Sequence, residues 1–210
     1  KGAARRIYKK VDPHQENRPG YKWHMDTVTW NTRSAKGNRF MTVLRDEASG
    51  LFKLLIHYLK DDVVGQIKRY IEVIRADPCF HDCPYKIFSE INLDSAGEWA
   101  PKCEVFQDLL EDKGVEAVYS CPDRKESNSR AEKGCGIVEV CIKGLLMQNN
   151  LPPWWWEHCA LSAEFLLNRF PISSTKANDP SNGDRVRPLE VFTRFRYSRR
   201  QIDRELSYYL

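Results

Sequence analysis

The order of strand-like and helix-like segments restricts the fold of this 210-residue chain more than any other feature. Residues 21–31, 39–45 and 51–59 are rich in β-branched, aromatic and aliphatic side chains, and short polar turns separate them. Runs of this kind predict strands, and short connections between strands predict an antiparallel meander. The globular part of the chain is therefore expected to begin with a sheet.

After the third strand the pattern changes to helices that alternate with strands. Apolar residues between 63 and 74 recur at the spacing of one helical face, and residues 105–114 predict a second helix. Residues 86–93 and 115–119 predict a fourth and a fifth strand. We expect an α/β fold, in which a five-stranded mixed sheet with three antiparallel strands first is flanked by helices on both faces.

Two further helices are predicted beyond a polar loop at residues 120–127. The first carries an apolar stripe from Ala131 to Leu146, and the second begins near Pro153 and is apolar on most sides. Residues 176–187 are predicted to form a loop. The long helix follows the polar loop directly.

The ends of the chain differ from its middle in charge. Residues 1–20 are basic and lack periodicity, which predicts a linker that follows a missing upstream module. We expect the globular core to span residues 21–172 and a C-terminal extension with a basic segment to span residues 173–210. The net charge of +4 and the clustered basic residues at both ends are compatible with a polyanionic partner.

Cysteine usage and hydropathy restrict the environment of the chain. Its seven cysteines are odd in number and scattered, which is typical of a reducing intracellular compartment rather than of a disulfide framework. No run of about 18 apolar residues is present, so no membrane partner is predicted. The chain begins with Lys1 rather than Met, which predicts a fragment of a longer polypeptide.

Three acidic residues occupy positions where an acid is unexpected. Asp26 lies within the first predicted strand, Asp94 follows the fourth, and Glu132 lies in the first turns of the long helix. A charged group in a core-forming strand is costly to bury unless it is paired or binds a cation. The ends of neighbouring strands and an adjacent helix are able to bring three such groups together.

A carboxylate trio suits a hard divalent cation such as Mg²⁺, which prefers oxygen ligands. Two such ions about 4 Å apart activate the attacking oxygen and stabilise the leaving oxygen of a phosphodiester. Each acid also has a purely structural interpretation. Asp94 is then a turn residue, Glu132 a solvated helix position and Asp26 a charge at a strand end.

Local motifs surround these acids in a fixed order. They are MDTV at 25–28, DSAGEW at 94–99 and NSRAEK at 128–133, with 37 residues, 95–131, between the second and third acids. LPPWWW at 151–156, AEFLLNRFP at 163–171 and PLE at 188–190 follow. From residue 21 to 190 the sequence resembles the integrase catalytic core of copia-type long-terminal-repeat retrotransposons, a branch of the ribonuclease-H-like DDE superfamily.

The resemblance has departures. Ser129 stands where the family usually has Gly, and Ser95-Ala96 stands where it usually has Asn-Gly. The upstream zinc module of the family ends in a C-x-x-C pair, and residues 1–20 contain no such pair. These changes leave the three acids in place and also permit a decayed or repurposed copy.

The resemblance implies a metal-dependent DNA strand-transferase. Its catalytic and metal-binding residues would be Asp26, Asp94 and Glu132, with two Mg²⁺ (or Mn²⁺) ions when substrate is bound. Its partners would be the DNA of the element ends and the target duplex, and further copies of the chain in a homo-oligomer. An intracellular protein that acts in the nucleus is implied.

Basic and amide side chains around the third acid are the predicted nucleic-acid contacts. They are Asn128, Arg124, Lys125, Arg130 and Lys133. Asn128 is equally compatible with a helix N-cap, and the four cations with an ordinary solvated surface. Two other functions remain open at this point: an inactive DNA-binding or assembly module derived from a retroelement, and a related nuclease that cleaves the RNA strand of a hybrid.

Overall fold

The computed structural model describes residues 18–94, 103–119, 129–170 and 187–193. The strands are β1 (Lys22–Thr29), β2 (Phe40–Asp46), β3 (Phe52–His57), β4 (Glu90–Leu93) and β5 (Glu116–Tyr119). The helices are α1 (Asp62–Ala76), α2 (Glu104–Lys113), α3 (Ser129–Gln148), α4 (Trp156–Arg169) and α5 (Pro188–Thr193). Single 3-10 turns lie at Pro78–Phe80 and Pro153–Trp155.

The five strands form one mixed sheet with the order β3-β2-β1-β4-β5. β1 pairs with β2 and β2 with β3 in antiparallel register, as the short turns predict. β4 and β5 join in parallel, because the segment that returns to the sheet in each case is a helical crossover. The predicted five-stranded mixed sheet with three antiparallel strands first is confirmed.

Helices cover both faces of the sheet, as predicted. Trp23 and Met25 of β1 point to the face covered by α1 and α2, where they join one apolar core. Met41 and Val43 of β2 point to the face covered by α3 and α4, where they join a second core. The helices of the described residues are too short or too polar to cross a membrane.

β4 begins four residues later than the sequence pattern predicts. Phe88 has a φ of 54°, a left-handed conformation that interrupts an extended strand. The Arg75 guanidinium of α1 donates hydrogen bonds to the carbonyls of Ile87 and Phe88 at 2.8 and 2.9 Å. The chain therefore turns into the sheet at Phe88, and regular pairing with β1 starts at Glu90.

Helix α5 lies within the stretch predicted as a C-terminal extension, yet it packs on the main body. Its Phe192 is buried and contacts Trp23 and Phe80 edge-on, at 5.7 and 5.1 Å between ring centroids. Gly20 also approaches the Phe192 ring closely. The folded body thus includes residues beyond 172.

Side chains of α1 and α4 cover the free backbone groups of the edge strand β3. Asn168 accepts a hydrogen bond from Phe52 N–H at 2.7 Å and donates one to the Phe52 carbonyl at 2.8 Å. Glu164 accepts from Leu54 N–H at 2.9 Å, and Gln66 donates to the Ile56 carbonyl at 3.0 Å. An uncovered edge strand is a template for aggregation, so these contacts protect the fold.

Replacing Asn168 by Ala is expected to lower the free energy of unfolding by about 3 kcal/mol, because both backbone groups of Phe52 would lose their partner. Asn149→Ala is the matched control, since the Asn149 side chain is exposed and its amide donates to the Leu145 carbonyl in the last turn of α3. Urea titration of both variants measures the difference. If Asn168→Ala lowers the free energy of unfolding no more than Asn149→Ala does, the edge of β3 does not depend on the Asn168 hydrogen bonds.

Candidate active site

The parallel register of β1 and β4 brings two of the predicted acids together. Lys22, Trp23 and His24 pair with Glu90, Ile91 and Asn92, and the same offset continued along both strands places Asp26 beside Asp94. Adjacent strands lie about 4.8 Å apart. Trp23, Met25, Ile91 and Leu93 all belong to the opposite core, so alternation directs Asp26 and Asp94 to the face of α3.

Helix α3 brings the third acid to this face. Ala131, Gly134 and Cys135 are buried against the sheet, and the thiol of Cys135 donates a hydrogen bond to the Asp26 carboxylate. Glu132 is exposed and lies three residues before Cys135. Residues three apart share one side of a helix, so Glu132 is on the side of α3 that faces Asp26.

Asp26 is in the electrostatic field of both other acids. Burial raises the pKa of its carboxyl above the usual value, and the negative charges of Asp94 and Glu132 raise that pKa further. Hydrogen bonds from the Thr27 N–H, at 2.8 Å, and from the Cys135 thiol act in the opposite direction. A bound cation would relieve this repulsion, as expected for a carboxylate trio that holds a metal.

The donor set fits a hard divalent ion, although the side chains do not yet converge on one. In the described part of the chain, no three acidic, histidine or cysteine side chains are placed so that they could hold a metal ion. Carboxylate oxygens are the ligands that Mg²⁺ prefers. Glu132 is solvent-exposed, which leaves its carboxylate free to change rotamer toward the two aspartates.

The predicted nucleic-acid contacts fall into two groups. Arg124, Lys125 and Asn128 lie outside the described residues. Lys133 is exposed on α3 beside Glu132, where a phosphate could reach it. Arg130 is half-exposed, but its guanidinium donates a hydrogen bond to the carboxylate of Glu47.

Glu47 is a residue that sequence reasoning did not single out. Its carboxylate lies 3.3 Å from His24 Nε2 and 3.6 Å from Lys22 Nζ, and it also pairs with Arg130. Burial alone would raise the pKa of Glu47, but the His24 hydrogen bond and the charges of Arg130, His24 and Lys22 together lower it to about 2. The sequence signal was the polar alternation Lys22, His24, Asp26, which predicts a polar stripe on one face of β1.

The low pKa of Glu47 predicts a pH dependence of stability. The folded-state pKa lies below the unfolded value of 4.5, so the carboxylate stabilises the fold fully above pH 4.5. That contribution is lost as the pH falls from about 4.5 toward 2. The difference in unfolding free energy between the wild type and Glu47→Gln, measured in urea, should therefore shrink steadily as the pH falls from 4.5 toward 2. A difference that grows as the pH falls below 4.5 would contradict the ion-pair account.

Comparison with known proteins gives the class of the fold. No family model matches the sequence, and no curated protein matches it. The sheet order and the two helical layers are those of an integrase-like ribonuclease H fold, and the similar solved structures include retroviral integrase catalytic cores.

Three of these structures illustrate the similarity. A chain of the simian T-cell lymphotropic virus intasome, solved with the PP2A regulatory subunit B56 gamma, has a TM-score of 0.61 at 16% identity, over 87% of this chain. This chain spans 56% of the length of that one. The HTLV-2 integrase catalytic core with magnesium, in its trimeric form, gives 0.56 at 15% identity, over 83% of this chain and 97% of its own. The BIV integrase catalytic core gives 0.52 at 15% identity, over 91% and 99%. Such low identities establish the fold alone.

Proposed function

We propose that this chain is the catalytic core of an integrase of the copia type, a polynucleotidyl transferase that trims and joins DNA ends. The observation that carries the proposal is the register of β1 and β4, which sets Asp26 beside Asp94 on the face that receives Glu132 from α3. The retroviral cores share the fold. The motifs around the three acids supply the link to copia-type elements.

The three acids would hold the divalent ions, with Asp26 and Asp94 at one ion and Asp26 and Glu132 at the second. Bound Mg²⁺ or Mn²⁺ supplies Lewis acidity to the attacking oxygen and neutralises charge on the scissile phosphodiester. The chain's own contribution is placement. The Thr27 N–H and the Cys135 thiol orient the Asp26 carboxylate, and burial of the strand beneath it keeps that carboxylate from turning away.

The attacking group would come from outside the chain. Water would serve in end trimming, and a DNA 3′-hydroxyl would serve in joining. The burial of the Cys135 thiol and the nearby charge of Asp26 both raise its pKa, so it stays protonated and acts as a hydrogen-bond donor rather than as a nucleophile. No covalent link between protein and DNA is part of the proposal.

DNA and further copies of the chain are the proposed partners. Lys133 at the rim of the site, together with Arg124, Lys125 and Asn128, would contact phosphates without reading sequence. The HTLV-2 catalytic core has been solved in dimeric and trimeric forms. A homo-oligomer is proposed here by analogy with those forms, and nuclear action follows from the role.

A branched DNA that presents its own 3′-hydroxyl beside a phosphodiester provides the direct test, because it requires no recognition of element ends. With Mg²⁺ or Mn²⁺ the chain should release the branch and join the two flanking strands. An RNA–DNA hybrid is the parallel substrate. Preferential cleavage of the RNA strand would overturn the transferase in favour of a nuclease.

An inactive DNA-binding or assembly module is the second candidate, and one observation favours it. The outer side of α3 carries Gly136 and Gly144, against which none of the described residues packs. Each glycine weakens a helix by roughly 1 kcal/mol relative to Ala. No contact with the described residues requires glycine at either position, which favours a helix that has lost its catalytic role. DNA binding without any metal-dependent product would support this candidate.

A further inference from the structure

We propose that Glu47 is a positioning residue, whose ion pair with Arg130 fixes the first turn of α3 and so sets where Glu132 meets Asp26 and Asp94. The inference rests on the proposed function, because it assigns Glu47 a role in the same metal site. Glu47 itself would contact neither metal nor DNA.

The base of this contact is a rigid turn between β2 and β3. The buried Asp46 carboxylate accepts hydrogen bonds from Gly20 N–H at 2.8 Å, from Ser49 N–H at 2.7 Å and from the Ser49 hydroxyl at 2.6 Å. The next residue, Glu47, donates its backbone N–H to the Lys22 carbonyl at 2.8 Å. The two consecutive acids thus have different roles. The Asp46 carboxylate stabilises the turn, and the Glu47 carboxylate pairs with side chains outside it.

Both oxygens of Glu47 have partners. Oε2 lies 3.3 Å from His24 Nε2 and 3.6 Å from Lys22 Nζ, which hold the carboxylate against β1. Oε1 accepts the hydrogen bond from Arg130 Nη1. The side chain is only 12% exposed, so water weakens these interactions less than it would at an open surface.

Arg130 lies in the first turn of α3, so its ion pair with Glu47 acts on the start of that helix. A cation in the first turn of a helix is unfavourable, because the N-terminal end of the helix dipole is positive. Pairing with Glu47 offsets that repulsion and anchors the turn on one side, while the buried Ala131 anchors it on the sheet side. Glu132 follows directly, so two neighbouring anchors determine where its backbone stands.

The alternative role of Arg130, a phosphate contact, leads to opposite expectations. If Arg130 served mainly to bind DNA, loss of Glu47 would release the guanidinium and strengthen DNA binding. If it serves to place Glu132, loss of either partner would weaken metal binding with no DNA present.

Simple electrostatics is excluded by the pair of variants. Glu47→Gln removes a negative charge near the site, which by itself weakens cation binding. Arg130→Gln removes a positive charge, which by itself strengthens it. The positioning role predicts that both variants weaken binding, because both release the same turn.

Calorimetric titration of the chain with Mn²⁺ at neutral pH tests this, with circular dichroism to confirm that each variant is folded. We expect Glu47→Gln and Arg130→Gln each to lower Mn²⁺ affinity about tenfold, as loss of an outer-shell partner does. The double variant should lose no more than either single one. Glu72→Gln is the charge-matched control, because it breaks the Glu72–Lys113 ion pair on the opposite face of the sheet and should leave affinity unchanged.

The outcomes separate this inference from the proposed function. Tighter Mn²⁺ binding by Arg130→Gln, or an effect of Glu47→Gln no larger than that of Glu72→Gln, overturns the positioning role alone. Mn²⁺ uptake by the wild type that Asp26→Asn abolishes would then still support the metal site. If the wild type takes up no Mn²⁺ that depends on Asp26, both the site and the role of Glu47 are overturned.

Discussion

Replacing Asp26 by Asn is expected to slow metal-dependent branch release at least about 1000-fold, a loss of roughly 4 kcal/mol of transition-state stabilisation. Asp26 is the acid that both proposed ions share, and the negative charges of Asp94 and Glu132 both raise the pKa of its carboxyl. The amide keeps the size of the side chain and an oxygen that can accept from the Thr27 N–H. It loses the negative charge, which is the property that a divalent cation needs.

The rate of branch release with Mg²⁺ or Mn²⁺, measured on the branched DNA, checks this prediction. Glu72→Gln serves as the control, since it neutralises an acid on α1, which covers the opposite face of the sheet from α3. The Asp26→Asn variant should also unfold no more easily than the wild type. The raised pKa of Asp26 indicates that its buried negative charge is unfavourable when no cation is bound. Activity within tenfold of the wild type in Asp26→Asn would remove the carboxylate trio from the chemistry.

Replacing Trp23 by Ala is expected to lower the free energy of unfolding by about 4 kcal/mol, the largest stability effect that we predict. The ring is fully buried, stacks on Phe88 at 5.2 Å and meets Tyr70 and Phe192 edge-on at 5.6 and 5.7 Å. Its indole N–H donates to the Gly20 carbonyl at 3.0 Å. One side chain thus joins α1, the entry to β4 and α5.

The same residue tests whether α5 belongs to the folded body. Phe192→Ala alone should also destabilise, and the double variant should fall short of the sum by about 1 kcal/mol, because residues in contact couple. Urea unfolding of the four proteins measures the coupling. Strict additivity would mean that α5 does not rest on Trp23 in solution.

Local sequence patterns specify most of the fold, because apolar residues recur at the strand or helix period within each segment. The alternation of β1 assigns Trp23 and Met25 to one core and Asp26 to the other face, and the helical spacing of α3 selects Ala131, Cys135 and Val138 as its buried stripe. The predicted start of β4 was wrong because it depends on the left-handed backbone of Phe88. The Arg75 side chain of α1, which is distant in sequence, holds that backbone by a hydrogen bond to the Phe88 carbonyl. A contact of that kind has no local signature.

The candidate site divides in the same way. The positions of Asp26 and Asp94 follow from the ends of strands, and that of Glu132 from its place at the start of a helix. Glu47 was missed because a polar residue in a predicted turn is ordinary, and its importance depends on Arg130, which lies 83 residues away. The packing of α5 against the main body was also missed. A helix of six residues with one buried aromatic is too short to show a helical periodicity in the sequence.

Crystals grown with Mn²⁺ and measured at the manganese absorption edge test the central claim most directly. We predict one manganese ion bound by carboxylate oxygens of Asp26 and Asp94. A second ion should be bound by Asp26 and by Glu132, whose side chain turns toward the site. Manganese bound elsewhere, with Glu132 still directed into solvent and the two aspartates without an ion between them, would contradict the account.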